Sequence, residues 1–194
     1  RQGVASAMIR SLGFDPRVEE GAHRLRQGQR LRVWSFGDLP AARALAQALG
    51  YRPARELLVM ARNLDGVGPA TLPGDVTVRG FAERDLADLV RINARAFSHH
   101  PEQGALSEQD FAERMAEPWF DPAGLLVATR GDRAIGFHWT KRHDPTTGEV
   151  YVIGVDPDHA GGGVGRGLLH LGMQHLREQG TKRVILYVEG DQRY

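Results

Sequence analysis

The stretch from Val150 to Gly167, VYVIGVDPDHAGGGVGRG, is an apolar run leading through a glycine-rich turn into the start of a helical pattern. A buried strand that feeds glycines at a helix N-terminus presents unpaired N–H groups and the positive end of the helix dipole, a combination suited to phosphate or pyrophosphate. Glycine lets that backbone approach an anion with no Cβ in the way. The candidate anion-binding positions are Ala160, Gly161, Gly162, Gly163, Val164, Gly165 and Arg166. On residue type alone such a cluster reads first as a flexible surface turn.

Two phosphate-binding patterns are excluded. A P-loop needs Gly-Lys-Ser/Thr after its glycines, and Gly165 is followed by Arg166 and Gly167. A dinucleotide fingerprint needs glycines at i, i+2 and i+5, which no register between Gly161 and Gly167 supplies. Upstream, Glu149 begins the strand that runs into the turn. On residue type and position alone it reads first as a solvated glutamate at a turn exit, with a general base as the functional alternative. Gly154 in mid-strand suggests a bulge or the close approach of a ligand. His99, His100, His138 and His143 contain no HExxH spacing, so satisfied or exposed imidazoles are expected and no metal site. Trp119 and Phe120 read as core anchors.

These residues must be positioned by ordinary elements. A helical face runs through Val4, Met8, Ile9 and Leu12 to Gly13, and a second helix is expected from Pro16 to Gln27. A strand follows over Leu31 to Phe36, then Asp38 as N-cap, Pro40 in the first turn and an alanine-rich helix to Leu49, closed by Gly50. Arg55 to Arg62 reads as another strand. The Gly/Pro-rich stretch 65–75 is expected to link two domains, 1–64 and 76–194. In the second, a strand at Val76–Arg79 leads to a helix over 83–97, a loop from His99 to Gly104, and a helix from Ser107 to Glu117 with Asp110 completing its capping box. Strands at Leu125–Thr129, Ala134–Lys141 and Glu149–Val155 form an antiparallel meander. A helix over 164–179 and a strand over 183–188 end the chain. Gly3-Val4-Ala5 then helix, Arg32-Val33 and Gly37-Asp38 weakly repeat Gly163-Val164-Gly165 then helix, Arg183-Val184 and Gly190-Asp191, which suggests a tandem duplication.

The chain's 194 residues hold 41% hydrophobic and 25% charged residues, a globular composition. Its net charge of +1, with both signs interspersed, gives no bulk field for nucleic acid. Without cysteine there is no thiol nucleophile and no thiolate metal site. No apolar run approaches the roughly 20 residues of a bilayer span, and no signal peptide opens the chain, so a cytoplasmic, non-membrane protein is expected, acting as a monomer.

Val155-Asp156-Pro157 and the loop ending Gly163-Val164-Gly165 resemble motif A of the GNAT superfamily of acetyl-CoA-dependent N-acetyltransferases, and Arg1-Gln2-Gly3-Val4-Ala5 resembles the end of the same motif in a preceding copy. Ala96-Phe97, His100-Pro101-Glu102-Gln103-Gly104, Trp119-Phe120-Asp121-Pro122, Gly136 to Lys141, Gly148 to Val152 and Leu186-Tyr187-Val188-Glu189 together resemble the mycothiol synthases, a family of tandem GNAT enzymes. The resemblance implies an α/β (α+β) GNAT fold: a mixed, largely antiparallel twisted sheet flanked by helices, in two tandem units truncated at the outer ends. It implies acetyl-CoA as co-substrate and a small thiol-sugar acceptor, desacetylmycothiol, whose cysteinyl amine is acetylated in the C-terminal unit. Glu149 falls at the family's catalytic glutamate, and the backbone of Ile153, Gly154 and Val155 where pantetheine and the acetyl carbonyl are held. Glu102, Lys141 and Tyr187 fall where the sugar substrate is contacted. The family's general-acid tyrosine lies in a later helix that Tyr194 precedes, so a piece of a longer protein is expected, close to inactive by itself. Where the motif carries Gln or Arg and further basic residues, this chain has Ala160, Gly161 and Gly162, which leaves backbone amides to hold the phosphates and predicts weaker binding. A GNAT enzyme for another small amine or a peptide N-terminus, and a non-catalytic CoA-binding module, are the alternative readings.

Overall fold

The computed structural model describes Ala7 and residues 33–100 and 103–190. The helices expected before Gln27 lie outside the described residues, as does Glu102. The chain divides into two units, Arg1–Glu56 and Leu57–Tyr194.

In the first unit, helix α1 (Pro40–Ala48) starts with proline, where no helical N–H is needed, and ends before Gly50 at φ 80°. Two expectations are corrected. Residues 33–35 are irregular and Phe36–Asp38 form a 3₁₀ turn, so the described part of the expected strand at 31–36 is not extended pairing. Asp38 is not the N-cap. Leu39 holds that position, and the Asp38 carboxylate instead pairs with Arg43 one turn into the helix.

The second unit is built on a six-stranded sheet of order β1-β6-β5-β4-β3-β2, with β1 Leu57–Asn63, β2 Thr77–Gly80, β3 Leu125–Arg130, β4 Arg133–Arg142, β5 Thr147–Val155 and β6 Arg183–Glu189. Every pairing is antiparallel except β5 with β6. Helices α2 (Leu86–Ala96) and α3 (Glu108–Met115) pack on one face through Leu89, Ile92 and Phe111 against Val127, Phe137, Trp139 and Val152. Helix α4 (Val164–Glu178) covers the other face with Val164, Leu168, Met173 and Leu176. The alternation of strand side chains makes this division possible: Phe137 and Trp139 face α2, while His138 and Thr140 face α4. The capping box of α3 is present, with Ser107 Oγ accepting from the Asp110 amide and Asp110 accepting from the Ser107 amide.

The segment 57–64, expected with the first domain, is bonded along its whole strand to β6 and therefore belongs to the second unit's sheet. Nor does the stretch 65–75 run free. Leu64 and Val67 are buried with Met173, Leu176 and Val184, and Arg177 and Gln174 of α4 donate to the carbonyls of Val67 and Gly68. Glycine and proline mark irregular backbone there, and the apolar residues between them supply the packing that composition alone hides.

Candidate active site

The parallel pairing of β5 with β6 extends only over Thr147↔Arg183, Gly148↔Val184 and Glu149↔Ile185. Beyond it β5 pairs with β4 alone while β6 pairs with β1, so residues 150–155 present one edge of backbone N–H and C=O groups to a gap between diverging strands. A bulge sharpens the divergence. Trp139 pairs with Val152 and Thr140 with Val150, leaving Tyr151 as an extra residue, and such an insertion bends and twists its strand. The bulge expected at Gly154 is thus three residues earlier. Gly154 is instead a packing requirement: a Cβ there would lie 3.3 Å from Phe137 and 3.5 Å from Ala96 and Phe97. Ile153 and Val155 turn their side chains to the α4 side, so it is their backbone that borders the gap.

At the far end of β5 the chain turns through Asp156. This carboxylate is fully buried and joins Arg91, Arg95 (3.2 Å) and the amide of Asp158 (3.2 Å), while Arg95 also reaches Asp158 at 2.8 Å. Burial pushes the Asp156 carboxyl upward, but the Asp158 amide and the two guanidinium groups outweigh it and hold the acid below its ordinary range. That network pins the start of the glycine turn to α2. Arg130 pins it from β3, 2.8 Å from His159.

Past Ala160 the backbone turns through glycines. Gly161 and Gly163 have φ of 88° and 89°, in the left-handed region, and a Cβ on Gly161, Gly162 or Gly163 would meet nothing within 4 Å. Gly163 is the N-cap of α4 and supplies no side-chain acceptor, so the first-turn amides of Val164, Gly165 and Arg166 are capped by no side chain at the positive end of a 15-residue helix. The side chain of Arg166 is exposed beside them. Gly167 has a different reason to be glycine, since a Cβ would come 2.4 Å from Leu72 and 2.9 Å from the Thr71 carbonyl, closing the seat of that segment on α4.

Glu149 sits where β5 and β6 part. It is 7% exposed, which removes the reading of a solvated glutamate at a turn exit. Its Oε2 lies 2.7 Å from Nε2 of His143, and Lys141 stands directly opposite in the β4–β5 register. Lys141 Nζ is 4.3 Å from the Trp119 ring centroid and 5.3 Å from that of Tyr151, so the ammonium rests on aromatic faces on the α2 side of the sheet. Trp119 and Tyr151 also pack against Trp139, as core anchors should. Val184 and Leu186 face α4, so by alternation Ile185, Tyr187 and Glu189 line the same side as Glu149 across the gap. Tyr187 is 44% exposed there. The loop after α2 reaches this side too: buried Asn93 exchanges hydrogen bonds with Gln103 (2.5 and 2.9 Å), the Gln103 amide donates to His100 Nδ1 at 2.9 Å, and His100 Nε2 is 3.5 Å from Glu189. Gly104 makes the loop's tight return possible, since a Cβ would sit 2.3 Å from the Phe97 carbonyl oxygen.

The structure therefore brings Glu149, Lys141 and Tyr187 to one side of the strand gap, and the backbone of 153–155 and the turn 160–166 along its edge. Sequence reading took His143 for a satisfied or exposed imidazole with no tie to Glu149, and missed the Arg91, Arg95 and Asp156 network. The four-residue spacing of the two arginines on one helix face was the only local sign of the latter. His138, by contrast, is a core histidine: fully buried, it donates from Nδ1 to the Leu168 carbonyl at 2.8 Å, and burial lowers its pKa to about 4. Among the described residues no cluster of three or more His, Cys, Asp or Glu could hold a metal ion, and no helix is long and apolar enough to cross a membrane.

The sequence pattern of the acetyltransferase (GNAT) family matches residues 86–194. A protein of Catenulispora acidiphila named mycothiol acetyltransferase is 48% identical over 200 residues, covering 98% of this chain and 61% of that protein. The chain thus spans about three fifths of that curated relative's length. Among solved structures, a tandem GNAT protein from the clavulanic acid biosynthesis pathway aligns with the whole chain and 63% of its own, at a TM-score of 0.68 and 14% identity. A GNAT family acetyltransferase of Brucella melitensis in complex with acetyl-CoA aligns with 57% of this chain and 74% of its own, at a TM-score of 0.50 and 18% identity.

Proposed function

We propose that this chain, which belongs to the GNAT family of acetyltransferases, carries the catalytic unit of an enzyme that moves an acetyl group from acetyl-CoA to the cysteinyl amine of desacetylmycothiol. In this reading the second unit holds the chemistry and the first is the C-terminal part of a preceding GNAT domain; the alignment of the whole chain with a tandem GNAT structure supports two tandem units. The observation that carries the reading is a buried carboxylate, Glu149, at the apex of a strand gap whose other end opens on an uncapped helix N-terminus.

The site fits the co-substrate. The free edge of 150–155 offers amide and carbonyl partners to an extended, amide-bearing chain such as pantetheine, and the amides of 160–166 suit its diphosphate. Bound there, acetyl-CoA supplies an activated acyl carbon. Glu149 takes a proton from the incoming ammonium, directly or through one water, so that nitrogen can attack. The Asp156 amide is bonded to Ile135 on β4, so by alternation the N–H groups of Ile153 and Val155 face the gap, where they polarise the thioester carbonyl. Lys141 and Tyr187, together with Glu102, hold hydroxyls of the acceptor. The naming of a relative at 48% identity supports the choice of acceptor, and Ala160, Gly161 and Gly162 offer no polar side chain, so phosphate binding at these positions falls to the backbone.

Calorimetry with acetyl-CoA and CoA release in the presence of desacetylmycothiol test this on the whole protein. Glu149→Gln is expected to bind acetyl-CoA as the parent does and to lose about 10²–10⁴-fold in turnover. No heat with acetyl-CoA, or undiminished turnover in the variant, refutes the proposal.

A further inference from the structure

We infer that His143 is a positioning residue for Glu149 and the route by which the proton Glu149 collects leaves for solvent, an inference that rests on the catalytic reading of Glu149 above. Acetylation of an amine that enters as an ammonium and leaves as an amide, with the CoA sulfur departing as a thiol, releases one proton per turnover. Glu149 receives it, and at 7% exposure has little water of its own to pass it to. His143 bridges that distance. Its Nε2 is 2.7 Å from Glu149 Oε2, its side chain is 36% exposed, and it lines an open cleft of about 500 Å³ shared with Trp119, Thr140, Arg142, Asp144 and His175.

The hairpin between β4 and β5 is built to keep the ring there. Asp144 Oδ1 accepts from the Thr146 hydroxyl (2.7 Å), the Thr146 amide (2.7 Å) and the Thr147 amide (2.9 Å), and the His143 amide donates to the Thr147 carbonyl at 3.0 Å. Those bonds, the Thr146 hydroxyl foremost, hold the Asp144 carboxyl at about 2, so it stays an acceptor and the turn stays closed. The charged groups around the pair are Lys141 opposite Glu149, Asp144 in the turn and Arg142, whose guanidinium donates to the Gln179 carbonyl at 3.3 Å, with the phenol of Tyr151 on β5.

The relay balances without any further reactant. An N–H bond of the ammonium breaks and an O–H bond forms on Glu149. With Nδ1 of neutral His143 carrying its hydrogen, protonated Oε2 donates to Nε2, and that O–H bond breaks as Nε2 takes the proton, regenerating the carboxylate and leaving an imidazolium. The imidazolium gives the Nε2 proton to cleft water and returns to the neutral Nδ1–H tautomer.

Turnover of the whole protein with acetyl-CoA and desacetylmycothiol, measured in dilute buffer with and without added imidazole, tests the relay in His143→Ala and His143→Gln. Glutamine can still hydrogen-bond Glu149 but carries no proton, so it separates positioning from transfer and serves alone should the alanine variant fold poorly. Both variants are expected to keep the KM for acetyl-CoA, to lose at least about tenfold in kcat, and to recover with imidazole, while the parent does not respond. A glutamine variant as fast as the parent, or variants that imidazole leaves unchanged, overturn the inference. A parent with no turnover overturns the reading of Glu149 itself, and is seen before any variant is made.

Discussion

His138 ties the stability of the second unit to pH in a way that can be worked from its surroundings. The ring is fully buried between β4 and α4, and Gly172 lies so close that a Cβ would come 2.1 Å from it. Burial is the largest influence and disfavours the charged ring. The Leu168 carbonyl opposes it weakly, nearby His175 reinforces it, and the pKa falls from 6.5 to about 4. Because the native pKa lies below the unfolded one, the unfolded chain binds the extra proton first as pH drops. The contribution of the neutral ring to stability is therefore intact above about 6.5, declines between 6.5 and about 4, and is gone below. Each pKa unit is worth about 1.4 kcal/mol, so the step amounts to about 3 kcal/mol. The lowered carboxylates Asp85 and Asp156 lose their contributions only below the ordinary aspartate range, so the imidazole dominates the window above it. Urea unfolding at a series of pH values between 7 and 4, for the parent and for His138→Gln, isolates the effect as the difference in slope. Expected is a parent that loses about 3 kcal/mol more than the variant across that range. Parallel curves would refute the assignment of a neutral, desolvated imidazole.

Two further outcomes follow from the glycine turn and its anchor. Gly163→Ala places a Cβ on a residue at φ 89°, which costs about 1–2 kcal/mol in a thermal melt and weakens acetyl-CoA binding by calorimetry, since the N-cap backbone must shift. Asp156→Asn leaves Arg91 and Arg95, both partly exposed to water, facing a neutral amide. It is expected to lower stability by about 1–2 kcal/mol and to weaken acetyl-CoA binding, whereas a variant with unchanged affinity would show that the turn keeps its shape without the ion pairs.

What was legible in the sequence was local. The antiparallel meander, the capping box at Ser107 and Asp110, the glycine turn and the helix behind it all announce themselves within a few residues, because periodicity and caps act over single turns. Contacts of long range were hidden. Asp156 and Arg91 are 65 residues apart, and nothing in either neighbourhood shows that a helix near the start of the unit will anchor a turn after its fifth strand. The strand 57–63 was recognisable as a strand, but its partner β6 lies more than a hundred residues on, and pattern alone assigned it to the wrong side of a glycine-rich stretch. Asp38 shows the opposite case: a good N-cap residue by type, it is drawn away by Arg43, and the helix begins on Leu39 and Pro40 instead.

The bulge at Tyr151 joins these scales. Ordinary alternation would put Glu149 and Tyr151 on one side of β5 and Val152 on the other. With one residue inserted, Tyr151 and Val152 both face α2, and Gly154 follows them to meet Ala96 and Phe97. The first half of the strand can thus place Glu149 beside Lys141 and His143. The second half changes phase, sends Ile153 and Val155 under α4, and keeps its edge free. Removing the inserted residue would shift either the acid or the glycine to the opposite face, so the carboxylate and a strand edge free for the co-substrate coexist on β5 because the register slips between them.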